Sequence, residues 1–318
     1  MKKILIIQTA FIGDVILATP LIETLSENYP EAQIDFLLKK GNENLLHQHP
    51  KLSTVLLFDK TQKIKNIFNL IREIRGKKYD IVVNLHRYFS SGLLTSFSGA
   101  QKKYGFKKNP LSFLFTKSFN HEIGAGTHET DRNLSLVKPF CESLLIKPKL
   151  YPSKEDDQKV LYLKTQTYYC FAPSSVWFTK QAPKTIWIKK IQEFLDLNAG
   201  IYLIGGKEDY KLCEEILNEV NNKKVINLAG KLSLLESAAL LRDARRTFVN
   251  DSGPLHIASS VNAPVTAFFC STSPDFGFGP LSDDSKIIEV ANLACRPCGL
   301  HGHTSCPKGH FKCGENLV

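Results

Sequence analysis

No stretch of this sequence stays apolar for the roughly 18 residues that a membrane-spanning helix requires, so it offers no transmembrane segment. The phosphate-cradling pattern G-x-x-x-x-G-K-[ST] is absent. The loop after the first apolar run, Phe11-Ile12-Gly13-Asp14, lacks the G-x-G-x-x-G spacing of a nicotinamide fingerprint, which argues against a dinucleotide oxidoreductase. Internal repeats and low-complexity tracts are missing too. Eight cysteines in 318 residues are too few for a disulfide scaffold. Cys141, Cys170, Cys213 and Cys270 stand singly in apolar surroundings, as reduced core thiols do. The start, MKKILIIQTAFIGD, has the basic end of a signal peptide, but its apolar run breaks at Gln8 and Thr9 with no clean small-residue cleavage site. It reads as a first strand, and the protein is expected to stay in the cytoplasm.

What is present is a chain of 43% hydrophobic and 23% charged residues, enough for two medium globular domains. Its net charge of +10 is unevenly placed. Residues 1–150 hold 22 Lys and Arg against 13 Asp and Glu, a net of +9, and the remainder holds 19 against 18, a net of +1. The first half therefore suits a polyanion or an acidic membrane surface, and the second something small. A nucleic-acid partner fits the charge but not the pattern, because interleaved aromatics and a known binding motif are lacking.

Along the chain, apolar runs alternate with helical spacing. Lys3 to Gln8, Ile34 to Leu38, Val55 to Phe58 and Ile81 to Leu85 read as buried strands. Val15, Ile16, Leu17, Leu21, Ile22 and Leu25 mark one helix, and Ile64, Ile67, Phe68, Ile71 and Ile74 mark another over 63–75. Residues 147–158, KPKLYPSKEDDQ, combine two prolines with a charge cluster and predict a linker. The alternation then resumes, with strands at 168–172, 201–204, 225–227, 247–249 and 265–269, and helices near 186–197, 210–220 and 234–242. Such alternation predicts two doubly wound parallel α/β domains, residues 1–152 and 153–318, each binding ligands at the carboxyl ends of its strands.

The densest polar knot is Asn250-Asp251-Ser252-Gly253-Pro254, set between two apolar runs. Asp251 or Ser252 can cap the following helix, Pro254 suits its first turn, and Gly253 lets the backbone approach a ligand. A helix start of this kind attracts phosphates, and His256 lies beside the opening. Asp14 follows the first strand, where a doubly wound domain places its active residues, and an aspartate there also serves as a helix cap. Gly205 and Gly206 end a strand before Glu208 and Asp209, an arrangement that serves equally as a nucleoside site or as an acid-rich helix start.

These segments resemble glycosyltransferase family nine, the ADP-heptose:lipopolysaccharide heptosyltransferases. The matching phrases are QTAFIGDVILATP at the start, Ala172-Pro173-Ser174-Ser175 with Lys180-Gln181-Ala182-Pro183, IYLIGGKED, NLAGK, and NDSGPLHIAS with Ser271 to Pro274. Ala182 replaces the aromatic residue expected at its position. The resemblance implies a GT-B fold, two Rossmann-like domains facing a cleft, with an acceptor-binding first domain and a nucleotide-sugar-binding second domain. It implies an inverting transfer of a heptose or related sugar from an ADP-sugar to the inner core of lipopolysaccharide, with Asp14 as general base. Ser174, Ser175, Lys180, Gly205, Asp209, Asp251, Ser252, Gly253 and His256 would bind the donor, and Lys180 would meet its diphosphate. Gly13, Arg87, His128 and Arg132 would serve the acceptor, an anionic lipid-linked sugar at the inner membrane surface. Lys60, Lys63, Lys65, Lys102, Lys103, Lys107 and Lys108 would add positive charge there. No cofactor and no catalytic metal are expected. A catalytically silent sugar-nucleotide binder, or a member using another donor, would carry the same donor-side residues. The tail spacing Cys295-x2-Cys298-x7-Cys306-x6-Cys313, with His301, His303 and His310, has one pair at metal-ligand spacing and leaves a structural zinc open.

Overall fold

Strand β1, Lys3–Ile7, lies inside a parallel sheet, and Ile4 to Ile7 are fully buried because such sheets are covered on both faces. The computed structural model describes residues 1–61, 63–124, 126–197 and 199–317, which form two units, Met1–Tyr151 and Pro152–Val318. In the first unit β1 is joined by β2 (Gln33–Lys39), β3 (Thr54–Phe58), β4 (Ile81–Asn84), β5 (Lys102–Phe106) and β6 (Lys117–Phe119), ordered β3-β2-β1-β4-β5-β6. Ile4 pairs with Ile34 on one side and Ile81 on the other. The winding reverses between β1 and β4, so the loops leaving these strands diverge and open a site at their carboxyl ends.

The helices of this unit are α1 (Ile12–Ile16), α2 (Thr19–Asn28), α3 (Lys63–Lys77), α4 (Phe89–Ser96) and α5 (Glu129–Ser135). The single helix expected after β1 is two. Pro20 lies in the first turn of α2, where a missing N–H is tolerated, and at the junction the Thr19 hydroxyl donates to the Ile16 carbonyl at 2.7 Å. Helix α3 forms as its periodicity predicts but buries only part of its apolar set. Ile67, Leu70 and Ile74 pack inward, whereas Ile64 and Phe68 are exposed.

The second unit contains β7 (Tyr168–Ala172), β8 (Gly200–Leu203), β9 (Val225–Asn227), β10 (Arg246–Asn250), β11 (Val265–Phe269) and β12 (Ser285–Glu289), ordered β12-β11-β10-β7-β8-β9. Counted from the start of each unit, the two strand orders are the same, and the second reversal falls between β7 and β10. Its helices include α6 (Lys154–Val160), α7 (Lys184–Leu195), α8 (Tyr210–Val220), α9 (Leu234–Arg242) and α10 (Gly253–Ser260). The last five residues of the expected linker therefore belong to helix α6. The Ser153 hydroxyl accepts the Asp156 N–H at 3.1 Å and the Asp156 carboxylate accepts the Ser153 N–H at 2.8 Å, so the charge cluster is a capped helix start. Trp187 anchors the core, fully buried and edge-on to Phe268 at 5.0 Å, with its indole N–H donated to the Ala182 carbonyl at 3.0 Å. Among the described residues no helix is long and apolar enough to cross a membrane.

Candidate active site

In the first unit, side chains from successive loops converge on the carboxyl end of β1. The Lys60 ammonium, just past β3, donates to the Thr9 carbonyl at 2.7 Å, and Asn42, past β2, donates to the Ala10 carbonyl at 3.2 Å. The Thr9 hydroxyl lies 2.9 Å from Nδ1 of His86, past β4, whose backbone N–H is fixed by the Asn84 side chain at 2.9 Å. This lacing holds the β1 loop rigid where α1 begins. Asp14, in the first turn of α1, accepts the Phe11 N–H at 3.2 Å, which is the capping role open to it from sequence. Its environment goes further than a cap requires. Burial pushes the carboxyl from 3.8 up to about 6; the negative charge of Glu129 adds to the rise, while the Phe11 N–H and Arg87 oppose it. A carboxylate near 6 is ionised at neutral pH yet basic enough to take a proton from a hydroxyl in the transition state. His86 moves the other way, pushed down to about 4 by burial, then by Lys60 and Arg87, so its imidazole is neutral at pH 7.

Glu129 opens α5 within a buried ionic cluster. Both its oxygens lie 3.1 Å from His121 Nε2, and Arg132 Nε donates to it at 2.7 Å. Burial would raise this carboxyl, but His121 and Arg132 outweigh it and hold Glu129 below the usual range, ionised. Asn133, on the same helix, donates to the Leu17 carbonyl at 3.1 Å and so docks α5 against the end of α1.

In the second unit the corresponding loops leave β7 and β10. Asn250, fully buried at the end of β10, donates to the Pro173 carbonyl at 2.9 Å and accepts the Ala182 N–H at 2.9 Å, pinning the loop that carries Ser174, Ser175 and Lys180. The Lys180 ammonium sits 2.7 Å from Asp251 Oδ2, which also accepts the Thr272 hydroxyl at 2.7 Å. Asp251 is thus taken up by a cation and a hydroxyl and does not cap α10. Ser252 is the residue that caps by position, yet its hydroxyl turns back to the Asn250 carbonyl at 3.3 Å and makes no side-chain cap bond. The first turn of α10 accordingly presents its N–H groups beside Lys180 and Asp251, a pattern suited to phosphate oxygens.

The family model "Glycosyltransferase family 9 (heptosyltransferase)" matches residues 67–307. The chain belongs to glycosyltransferase family 9. It is 30% identical over 285 residues to lipopolysaccharide heptosyltransferase 3 of Escherichia coli strain K12, covering 83% of this chain and 81% of the relative. Among solved structures, the E. coli ADP-heptose lipopolysaccharide heptosyltransferase II superposes with a TM-score of 0.81 at 24% identity, over 98% of this chain and 97% of that one. The E. coli heptosyltransferase WaaC with ADP gives 0.74 at 19% identity, over 90% and 92%. The fold of two doubly wound Rossmann-like sheets expected from sequence is the one these glycosyltransferases share.

Against this family frame, the remaining candidate residues of the glycosyltransferase divide by environment. Asp14, Gly13 and Arg87 meet at the first reversal point, and Ser174, Ser175, Lys180, Asp251, Ser252 and Gly253 at the second. His256 is buried on α10. Asp209 accepts the Gly206 N–H at 2.8 Å, and a Cβ on Gly205 would stand 2.6 Å from its carboxylate, so this glycine is set by the close approach of Asp209. His128 caps α5 by accepting the Thr130 N–H at 3.2 Å, and Arg132 is buried against Glu129 and the Thr127 carbonyl. Arg132 spends its charge inside the α5 segment, a use that only burial reveals. The side chain of Lys63 lies outside the described residues. Thr9, His86, His121 and Glu129 were not singled out from sequence. His86 had a readable signal, since it follows a strand end directly before Arg87.

The cysteine-rich tail closes over the donor-side loops. Arg296 donates to the Cys270 and Thr272 carbonyls at 2.7 and 2.6 Å, and Thr179 Oγ1 accepts the His303 N–H at 2.8 Å. Cys295 Sγ lies 3.8 Å from His310 Nε2, and Cys298 donates to the Cys295 carbonyl at 2.9 Å. Among the described residues no group of three or more His, Cys, Asp or Glu side chains is arranged to hold a metal ion.

Proposed function

We propose that this glycosyltransferase moves a heptose from ADP-heptose to the inner core of lipopolysaccharide, with inversion at the anomeric carbon. The supporting observation is the Asp14 carboxyl, lifted to about 6 at the reversal point of the first sheet. Asp14 takes the proton of an acceptor hydroxyl while the oxygen bonds to the anomeric carbon. The bond from that carbon to the diphosphate oxygen breaks, and ADP departs with the electron pair. Lys180 and the α10 N–H groups stabilise the negative charge that grows on the diphosphate, and Asp251, itself fixed by the Thr272 hydroxyl, holds the ammonium in place. Ser174 and Ser175 lie beside the diphosphate, Asp209 accepts from the ribose hydroxyls, and Arg87 draws in the anionic acceptor. The first unit serves the lipid-linked acceptor, in peripheral contact with the inner face of the membrane, and the second serves the nucleotide sugar.

Thermal-shift measurements against ADP-, UDP-, GDP- and CDP-linked sugars test the donor, since a true donor stabilises the fold by mass action. Stabilisation by the ADP-sugar alone is the expected result; preference for another nucleotide would replace the donor. The silent-binder reading is separated by turnover. Product formed by the wild type and lost in Asp14→Asn, with the donor shift intact, supports the transferase; donor binding without any turnover would leave a sensor.

A further inference from the structure

The first unit carries an unexplained face. Helix α3 buries Ile67, Leu70 and Ile74 but leaves Ile64 and Phe68 exposed at 75% and 66%, one helical turn apart. Large apolar side chains this open are not expected on a helix whose inward stripe is already filled. Helix α4 repeats the pattern, with Phe89 and Phe97 at its two ends exposed at 54% and 49%. The two helices are neighbours on one side of the sheet: Ile71 of α3 and Leu93 of α4 pack against the same core cluster, and Arg75 donates to the Phe97 carbonyl at 3.4 Å. The intervening surface is basic. Helix α3 has five Lys and Arg against the single acid Glu73, and Lys65, Arg72 and Arg75 are exposed beside the apolar pair. Helix α4 has no charged residue.

We propose that the outer face of α3 and α4 docks on an anionic phospholipid bilayer, with Ile64, Phe68, Phe89 and Phe97 entering the headgroup boundary and Lys65, Arg72 and Arg75 meeting lipid phosphates. Apolar side chains interleaved with cations on a helix surface are the chemistry of interfacial binding, and the +9 balance of residues 1–150 supplies the long-range attraction. Helix backbone groups are bonded within the helix, so this face offers no edge for an extended peptide. The inference deepens the reading of a membrane-borne acceptor by naming the surface that meets the membrane.

The test is sedimentation of the full chain with phosphatidylglycerol-containing vesicles and with phosphatidylcholine vesicles, without donor or acceptor, so that its outcome is independent of the transferase reading. The wild type is expected on the anionic vesicles only, less so as salt rises. The double variant Lys65→Gln/Arg72→Gln should bind roughly 25-fold more weakly, about fivefold per cation. Ile64→Ser/Phe68→Ser should lose about tenfold or more while keeping the wild-type melting temperature and the wild-type turnover of a soluble, lipid-free acceptor fragment. Failure of the wild type to bind anionic vesicles at low salt, or wild-type binding by both variants, overturns the proposal. So does a change from dimer to monomer in Ile64→Ser/Phe68→Ser, which would make a second copy of the chain the partner of this face.

Discussion

The two units share one strand order and put it to opposite electrostatic use. At the reversal point of the first sheet stands an acid, Asp14, with burial and Glu129 holding its proton on to about pH 6. At that of the second stands a cation, Lys180, neutralised at 2.7 Å by Asp251. The first arrangement keeps a group poised to accept a proton. The second keeps a charge ready beside a carboxylate that needs it, because the buried Asp251 lacking its cation would be expensive. Topology therefore fixes where a doubly wound sheet acts, and the few side chains at its strand ends fix what it does there.

The sharpest way to break this contrast is Asp14→Asn. Turnover should fall about 10³-fold, the scale of a lost general base, while the melting-temperature rise on adding ADP stays as in the wild type. A drop in donor binding alongside turnover would make Asp14 a structural cap. The same variant tests the cost of the raised carboxyl. Because the folded pKa of about 6 exceeds the ordinary 3.8, stability associated with Asp14 is full below about pH 4 and is lost as pH rises through about 6. Asp14→Asn should be the more stable protein at pH 7, with the gain vanishing in acid.

Lys180→Ala comes next. It should lower kcat about 10²-fold and destabilise the second unit by about 3 kcal/mol, since Asp251 is left without its cation. The ADP-induced shift should disappear, yet the acid limb of the pH profile should not move. Unchanged donor binding would remove Lys180 from the donor site.

Glu129→Gln probes the first unit alone. In the wild type kcat/KM should climb as pH rises through about 6, because the base works only when ionised. Removing the neighbouring negative charge should carry that limb downward, toward the ordinary carboxylate range, with donor binding unaltered. A limb that stays put would show that burial alone lifts Asp14. The smallest effect is expected at Gly230, whose φ of +74° and 3.0 Å approach of a Cβ to the Lys207 backbone call for glycine. Gly230→Ala should cost on the order of 1 kcal/mol in thermal unfolding and leave the pH limb alone.

Much of this was readable beforehand. Strands β7, β9 and β11 and helices α8 and α9 carry apolar periodicity strong enough to set their bounds from sequence. Strands β5, β6 and β12, written KKYGF, KSF and SKIIE, do not, because β6 and β12 are sheet edges with exposed side chains and β5 begins with two lysines. Helix α6 does not show in the apolar pattern because Ser153 and Asp156 act as a reciprocal cap, which makes a polar run helical without an apolar stripe.

The sequence by itself determined the alternation of strands and helices, the basic first half, and the polar phrases at Asp14, Lys180 and Asp251, since each is written in residues close along the chain. Only the tertiary structure decided that Glu129 raises Asp14, that Asp251 pairs with Lys180, that Arg132 is buried, and that Ile64 and Phe68 face outward. Those outcomes depend on desolvation and on charges brought together across 70 to more than 100 residues of chain, and neither burial nor distance is encoded at any one position.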